Sequence, residues 1–199
     1  MTKLMLSFLA SLIFATSSFG QTITYENFRE IIPFLQQEDF KSAYEKTSKL
    51  LSTTTNDNSD IRGMVTYMNI FSAAAMVTLD QMTFDEFEKV VTNYKGQYIV
   101  MPAHPCVERE GEAFNSLQLS KNEDGKLQGM TISANTNKTS IFCFEYFDYA
   151  GNIDPNELIG KTIRCGGVLK SIEVNPNKSK IWVVRLRVSN AFARPITPR

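Results

Sequence analysis

The sequence predicts an α+β protein, helical in its first half and stranded in its second. Two observations carry this. Apolar side chains recur at helical spacing over residues 24–93. From Tyr94 onward the spacing changes to period two, punctuated by Asp124-Gly125 and Asn175-Pro176-Asn177 as turn signals.

Phe28, Ile31, Ile32 and Leu35 stand at i, i+3, i+4 and i+7 and define one apolar helix face, with Pro33 placed where it can kink that helix. Asp39 opens the next segment, in which Phe40, Ala43, Tyr44, Leu50 and Leu51 face one way. The run STTTNDNSD reads as a loop, and Asp60 as the N-cap of a longer helix reaching about Leu79, with Ile61, Met64, Val65, Met68 and Ala75 inward. Thr83 and Glu86 form a T-x-x-E capping box, in which each side chain satisfies an amide at the start of the helix. Phe87, Val90, Val91 and Tyr94 give that last helix its apolar face.

The strands follow at 97–101, 114–121 and 126–134, then at 141–147, from Gly160-Lys161 through TIRCGGVLKSIEV, and at Ile181 to Val188. Asp154 and Pro155 are the cap and first residue of a short helical turn. Gly166-Gly167 implies a bulge or sharp bend. In the last strand Trp182, Val184, Leu186 and Val188 form an apolar face, and Arg185 and Arg187 fall on the other.

Two resemblances rest on these residues. Leu35, Asp39-Phe40, Ala43 and Leu50-Leu51 look like the hinge of one tetratricopeptide-type helix pair, which implies N-terminal helical hairpins. The order of strands, with a short helix before the last two, resembles the OB-fold. More narrowly, residues 94–192 resemble the exported bacterial OB-fold family named for its likeness to the anticodon-binding domain of aminoacyl-tRNA synthetases. Tyr94-Lys95-Gly96, Ile141-Phe142-Cys143-Phe144, Leu158, Gly160-Lys161, Ile163 and Gly167 carry the likeness. The stretch MPAHPCVEREGE departs from it, with two prolines and no clear glycine bend. The resemblance implies a five-stranded OB-like β-barrel and brings no catalytic residues with it. The expected organisation is a signal peptide at 1–20, a helical domain at 21–93 and the barrel at 94–199.

The N-terminus carries an address. Lys3 precedes the apolar run Leu4 to Ala15, and Ser18 and Gly20 place small residues before a cut ahead of Gln21. This is a secretory pattern, too short to anchor as a membrane span, and it implies an exported, periplasmic or secreted protein. Export permits disulfides, and the chain has 3 cysteines, so one thiol is left over whatever pairs. The OB-like arrangement makes the first and fourth strands neighbours, which brings Cys106 and Cys165 forward as a candidate bridge. The acceptor pattern for N-glycosylation occurs at Asn137-Lys138-Thr139 and Asn177-Lys178-Ser179, relevant only to a eukaryotic secretory route.

The residues point away from most chemistry. His104 is the sole histidine, and Cys106 lies two residues on, but Pro102 and Pro105 imply an irregular segment and no third orienting group is evident. Glu108, Glu110 and Glu112 alternate beside Gly111 as in a solvated loop or edge. Asn56, Asn58 and Asp60 begin like a calcium loop, but Ile61 and Tyr67 stand where Gly and Glu are required. No catalytic residue, metal ligand or cofactor is therefore expected. The charge balance is zero overall and uneven along the chain. Nine basic residues from Lys161 onward face Glu173 alone, and in residues 21–93 acids outnumber bases 11 to 6. Arg185 and Arg187, with Tyr146 or Phe142 for stacking, are the candidate binding residues if the barrel takes a polyanion. A simpler use of the asymmetry is that the acidic helices pack beside the basic strands. The expected function is an exported, non-enzymatic binding or scaffold module for a protein, peptide or envelope polymer. Nucleic-acid or polyanion binding is the second reading, disfavoured by export, and a hydrolase with an unrecognised site is the third.

Overall fold

The computed structural model describes residues 21–108 and 114–196. The secretory segment at 1–20 and the acidic positions Glu110 and Glu112 lie outside the described residues. Among those described there are five α-helices: α1 (Tyr25–Arg29), α2 (Ile32–Gln36), α3 (Phe40–Thr53), α4 (Asp60–Thr78) and α5 (Phe84–Thr92). Seven strands follow: β1 (Tyr98–Val100), β2 (His104–Val107), β3 (Leu117–Lys121), β4 (Leu127–Ala134), β5 (Ile141–Tyr149), β6 (Thr162–Val174) and β7 (Trp182–Pro195). A 3-10 turn at Pro155–Glu157 precedes β6.

Most local signals act where the sequence places them, and the expected Asp60 cap of α4 is replaced by its neighbour Ser59. Pro33 sits in the first turn of α2, and the chain breaks between Arg29 and Ile32 instead of running as one helix. Asp39 caps α3 through the Ser42 amide, and the Thr83–Glu86 box closes the start of α5 in both directions. At α4 the cap is Ser59, whose hydroxyl accepts from the Arg62 amide, and Asp60 is the first helical residue. Asp154 caps the 3-10 turn, with Pro155 at its first position.

Helix α4 organises the packing. Fifteen of its residues are buried, Arg62 to Ile70 and Ser72 to Val77. A helix apolar or buried on nearly every side belongs inside a protein rather than on its surface. It packs between α3 and the sheet, and Gly63 allows the close approach to β1. A Cβ there would stand 2.8 Å from Val100 Cγ2 and 3.1 Å from the Val100 amide. The core is continuous across the two halves of the chain, with Phe40, Tyr67 and Met76 in one apolar cluster with Phe142, Phe147 and Leu186. Phe142 lies against Phe40 and Phe71 at ring-centroid distances of 5.4 and 5.2 Å, both edge-on. Among the described residues, no helix is long and apolar enough to cross a membrane.

The sheet has seven strands in the order β1-β6-β2-β3-β4-β5-β7, and β7 also pairs with β6. The count exceeds the expected five for two reasons. Residues 104–107 form a strand, although Pro105 lies within it. Pro105 is exposed, and the neighbouring Cys106 amide donates to the Lys161 carbonyl. The first pairing segment is thus divided into β1 and β2, both antiparallel to β6, on either side of Pro102. In addition, the strand that the spacing predicts at 114–121 is present as β3 and exceeds the five of the OB-like barrel, lying between β2 and β4, parallel to β2 and antiparallel to β4.

The bend expected at the paired glycines is present, with a register shift between Gly166 and Val168 in the β6–β7 ladder. A Cβ on Gly166 would stand 2.7 Å from the Ile99 carbonyl oxygen, and backbone cannot yield there as a side-chain tip can. Gly166→Ala is therefore expected to lower stability by about 1–3 kcal/mol, as overpacked sites do. The urea midpoint of the purified protein checks it; an unchanged midpoint would mean that β1 and β6 are not in this contact.

Candidate binding surface

The outward side of the sheet at β5 and β7 gathers the side chains that the core does not use. Across the parallel β5–β7 ladder, Phe144 faces Arg185 and Tyr146 faces Arg187. Across the antiparallel β6–β7 ladder, Glu173 faces Arg185 and Ser171 faces Arg187. The two arginines are two residues apart on one strand and share a face because side chains alternate along it. Each arginine side chain is 42% exposed, and each guanidinium meets both an aromatic ring and a carboxylate. The Arg185 guanidinium lies 4.2 Å from the Trp182 ring centroid and 5.9 Å from that of Phe144, and it donates to Glu173 Oε1 at 3.1 Å. The Arg187 guanidinium lies 5.6 Å from the Tyr146 centroid and donates to Asp148 at 3.2 Å. Contacts of this kind, ring below and carboxylate beside, hold an arginine in one orientation. Ile181, 73% exposed, borders the group beside Trp182.

The sequence places Arg185 and Arg187 outward, and that is where they stand; two other assignments change. Phe142 is no stacking residue, because it is buried between helices α3 and α4; Phe144 takes the outward position. Trp182 does not join Val184 and Leu186 in the core. It precedes the stretch of β7 that β6 pairs, so one neighbour rather than two constrains it, and its ring turns to Arg185 and Phe144. Nor are the two arginines without structural partners, since each has an acid and an aromatic ring.

The basic excess of the C-terminal segment is partly met. Lys178 pairs with Asp85, Lys180 with Asp80 and Arg194 with Asp60, all three acids coming from the helical part. The uneven charge thus joins the helices to the strands. These pairs are exposed and screened by solvent, so they orient the halves more than they stabilise them.

A second cluster is internal. Glu145 is fully buried on β5, beside Thr131 and Ser133 of β4. The Tyr67 hydroxyl of α4 donates to Glu145 Oε1 at 2.8 Å. Ser133 Oγ, also 2.8 Å from that hydroxyl, is left as donor to it. Glu145 Oε2 and Thr131 Oγ1 have no hydrogen-bond partner among the described residues. Burial pushes the Glu145 carboxyl up to about 8, and hydrogen bonding from Tyr67 and Ser133 offsets only part of that. Burial also raises the Tyr67 hydroxyl and the Cys143 thiol well above their ordinary values, with the Glu145 charge adding to both. The group is a protonated acid joining helix to sheet at neutral pH. Its sequence signal is faint, because Glu145 looks like one polar residue in an apolar strand.

The remaining candidates do not assemble. His104 is half-buried, and its Nε2 lacks a partner among the described residues; desolvation lowers its pKa and keeps it neutral. Glu108 is exposed. Among the described residues, no group of three or more His, Cys, Asp or Glu side chains could hold a metal. The cysteines are all free and buried, so the bridge between Cys106 and Cys165 is not made. The reason is register. His104 lies opposite Ile163, and the Cys106 amide meets the Lys161 carbonyl. Cys165 is four residues farther along β6, a separation on the order of 13 Å, whereas a disulfide needs Cα atoms within about 7 Å. Cys165 lies beside the Tyr149 hydroxyl instead, at 3.8 Å, and burial raises its thiol to about 12. Comparison with family models, curated proteins and solved structures finds no match to this chain.

Two outcomes follow from the buried groups. The folded Glu145 holds its proton more tightly than the unfolded chain, so its contribution to stability is complete below about pH 4.5 and is lost as pH rises toward 8. Glu145→Gln should flatten that decline, which is on the order of a few kcal/mol. Urea melts of both proteins at pH 5 and pH 8.5 measure it, and parallel pH dependences would show that Glu145 is ionised in the fold. Thiol titration of the unreduced, denatured protein should return three free thiols, and one would mean a bridge.

Proposed function

We propose that the chain is an exported, non-enzymatic binding or scaffold module built on an OB-like barrel. The barrel reading is supported by the way the pairings return on themselves, from β6 through β2, β3, β4, β5 and β7 back to β6. It is further supported by the parallel β5–β7 and antiparallel β6–β7 ladders and by the 3-10 turn before β6, the order an OB-fold has. Relative to five strands, β3 is then an addition and β1 and β2 are two parts of one strand. The secretory pattern of residues 1–20 supports export, and the likeness to the exported OB-fold family rests on the motifs of residues 94–192.

The observation that carries the binding role is the outward group of Trp182, Phe144, Tyr146, Arg185 and Arg187. These are large, half-exposed side chains held in fixed orientations, with no part in the buried core. Trp, Tyr and Arg are the side chains that dominate binding energetics when they stand exposed together. Polyanion binding is the weaker alternative, because both arginines of the face are already paired with carboxylates.

A photo-crosslinking residue in place of Tyr146, irradiated in the native host, tests this. The expected result is a higher-mass adduct that Trp182→Ala removes and that the same probe at Thr92, on α5, does not form. Equal adducts from both positions, or none from Tyr146, would remove β5 and β7 as the binding face.

A further inference from the structure

The chemistry of this face narrows the ligand, on the reading that β5 and β7 form the binding surface. We propose that it takes a neutral, hydroxyl-rich polymer, a polysaccharide chain, laid across Trp182, Phe144 and Tyr146 and hydrogen-bonded by the two arginine–carboxylate pairs.

Three ligand classes meet the same surface differently. An extended peptide that adds a strand needs an open sheet edge. Here β5 is paired on one side by β4 and on the other by β7, and β7 is paired in turn by β6 from Val184 onward, so the rows of Arg185 and Arg187 offer no open strand edge. Any ligand must be read by side chains alone. A polyanion needs cations free to replace its counterions. Arg185 and Arg187 are held by Glu173 and Asp148, and the face is close to neutral.

A folded protein partner is disfavoured by where the charges stand. Protein interfaces keep charged groups at the rim and an apolar core in the middle. Here the Arg185–Glu173 and Arg187–Asp148 pairs occupy the face from Arg185 to Arg187, and the apolar group of Trp182 and Ile181 lies at the opposite end, so no apolar centre is ringed by charge. A dry contact would strip water from two ion pairs without returning hydrogen bonds. Sugar hydroxyls return them. Adjacent hydroxyls match the donors of a guanidinium and the acceptors of a carboxylate, and the apolar faces of pyranose rings lie on aromatic rings.

The shape suits a chain rather than a single sugar. The register from Trp182 to Arg187 spans five residue steps of β7, about 17 Å of strand. A partly open cleft of about 290 Å³ lies along its middle, bordered by Tyr146, Ser171, Glu173, Arg185, Leu186 and Arg187.

Affinity electrophoresis of the full mature chain tests the proposal. Native gels are cast with laminarin, soluble starch, hydroxyethyl cellulose or glycol chitin, at 50 and 500 mM NaCl, beside a heparin gel. The expected result is retardation in at least one neutral-glycan gel, equal at both salt concentrations. Trp182→Ala and Arg185→Ala should weaken it at least tenfold, and Lys49→Ala, exposed on α3, should not. Circular dichroism melts of the variants separate lost binding from lost folding, and Arg185→Lys serves where Arg185→Ala does not fold. No retardation in any neutral gel overturns the proposal. Salt-sensitive retardation by heparin alone, lost in the same variants, overturns the neutral ligand and leaves the binding face standing. Neutral-glycan retardation that both variants retain overturns the face itself.

Discussion

The burial of α4 is the constraint on which the rest depends. A helix surrounded on nearly all sides must present apolar atoms in every direction and find partners for the polar groups that it takes inside, and among those of α4 only Ser72 Oγ has no partner among the described residues. Arg62 meets this by donating to Asn56, Thr54, Thr55 and Leu51, which fixes the loop before the helix. Asn69 meets it by bonding Thr47 and Ser48 of α3 and accepting from Tyr94. Tyr67 meets it on the opposite side, through Glu145 and Ser133 of the sheet. The helix is therefore joined to both its neighbours by directional bonds in addition to apolar contact, and Gly63 sets how closely it meets β1.

This joint accounts for the chemistry of the interior. A carboxylate in a water-free interior costs several kcal/mol unless it is neutralised. Glu145 is neutralised by keeping its proton, and the proton is kept because α4 closes the site to water. The same closure covers the Cys143 thiol, and burial elsewhere in the core disfavours the thiolates of Cys106 and Cys165, so all three are poor nucleophiles.

The outer face follows a different rule. Its side chains are positioned by strand register, and they satisfy one another in pairs. Arg185 meets Glu173 directly across β6–β7, while Arg187 reaches Asp148 one step along from its opposite residue Tyr146. Such a surface carries planar polar groups and rings with little net charge. Part of the cationic excess of the C-terminal segment is taken up at the junction with the helices, at Lys178, Lys180 and Arg194.

By itself the sequence determined what short-range physics controls. The Thr83–Glu86 box, the Asp39 and Asp154 caps, the glycine-made bend in β6 and the alternation that turns Arg185 and Arg187 outward all depend on residues a few positions apart. What it left open depends on distant partners. Residues 104–107 became a strand because β6 and β3 supply partners on both sides, although the local prolines argue for an irregular segment. The Cys106–Cys165 pairing failed because register, which no pattern within one strand reveals, set them four residues apart. Phe142 and Trp182 exchanged roles because helices cover the start of β5 and β6 does not reach the start of β7. Glu145 became a protonated core residue only when α4 excluded water from it. Local spacing fixes which way a side chain points; only the assembled neighbours decide whether it meets water, an acid or another ring.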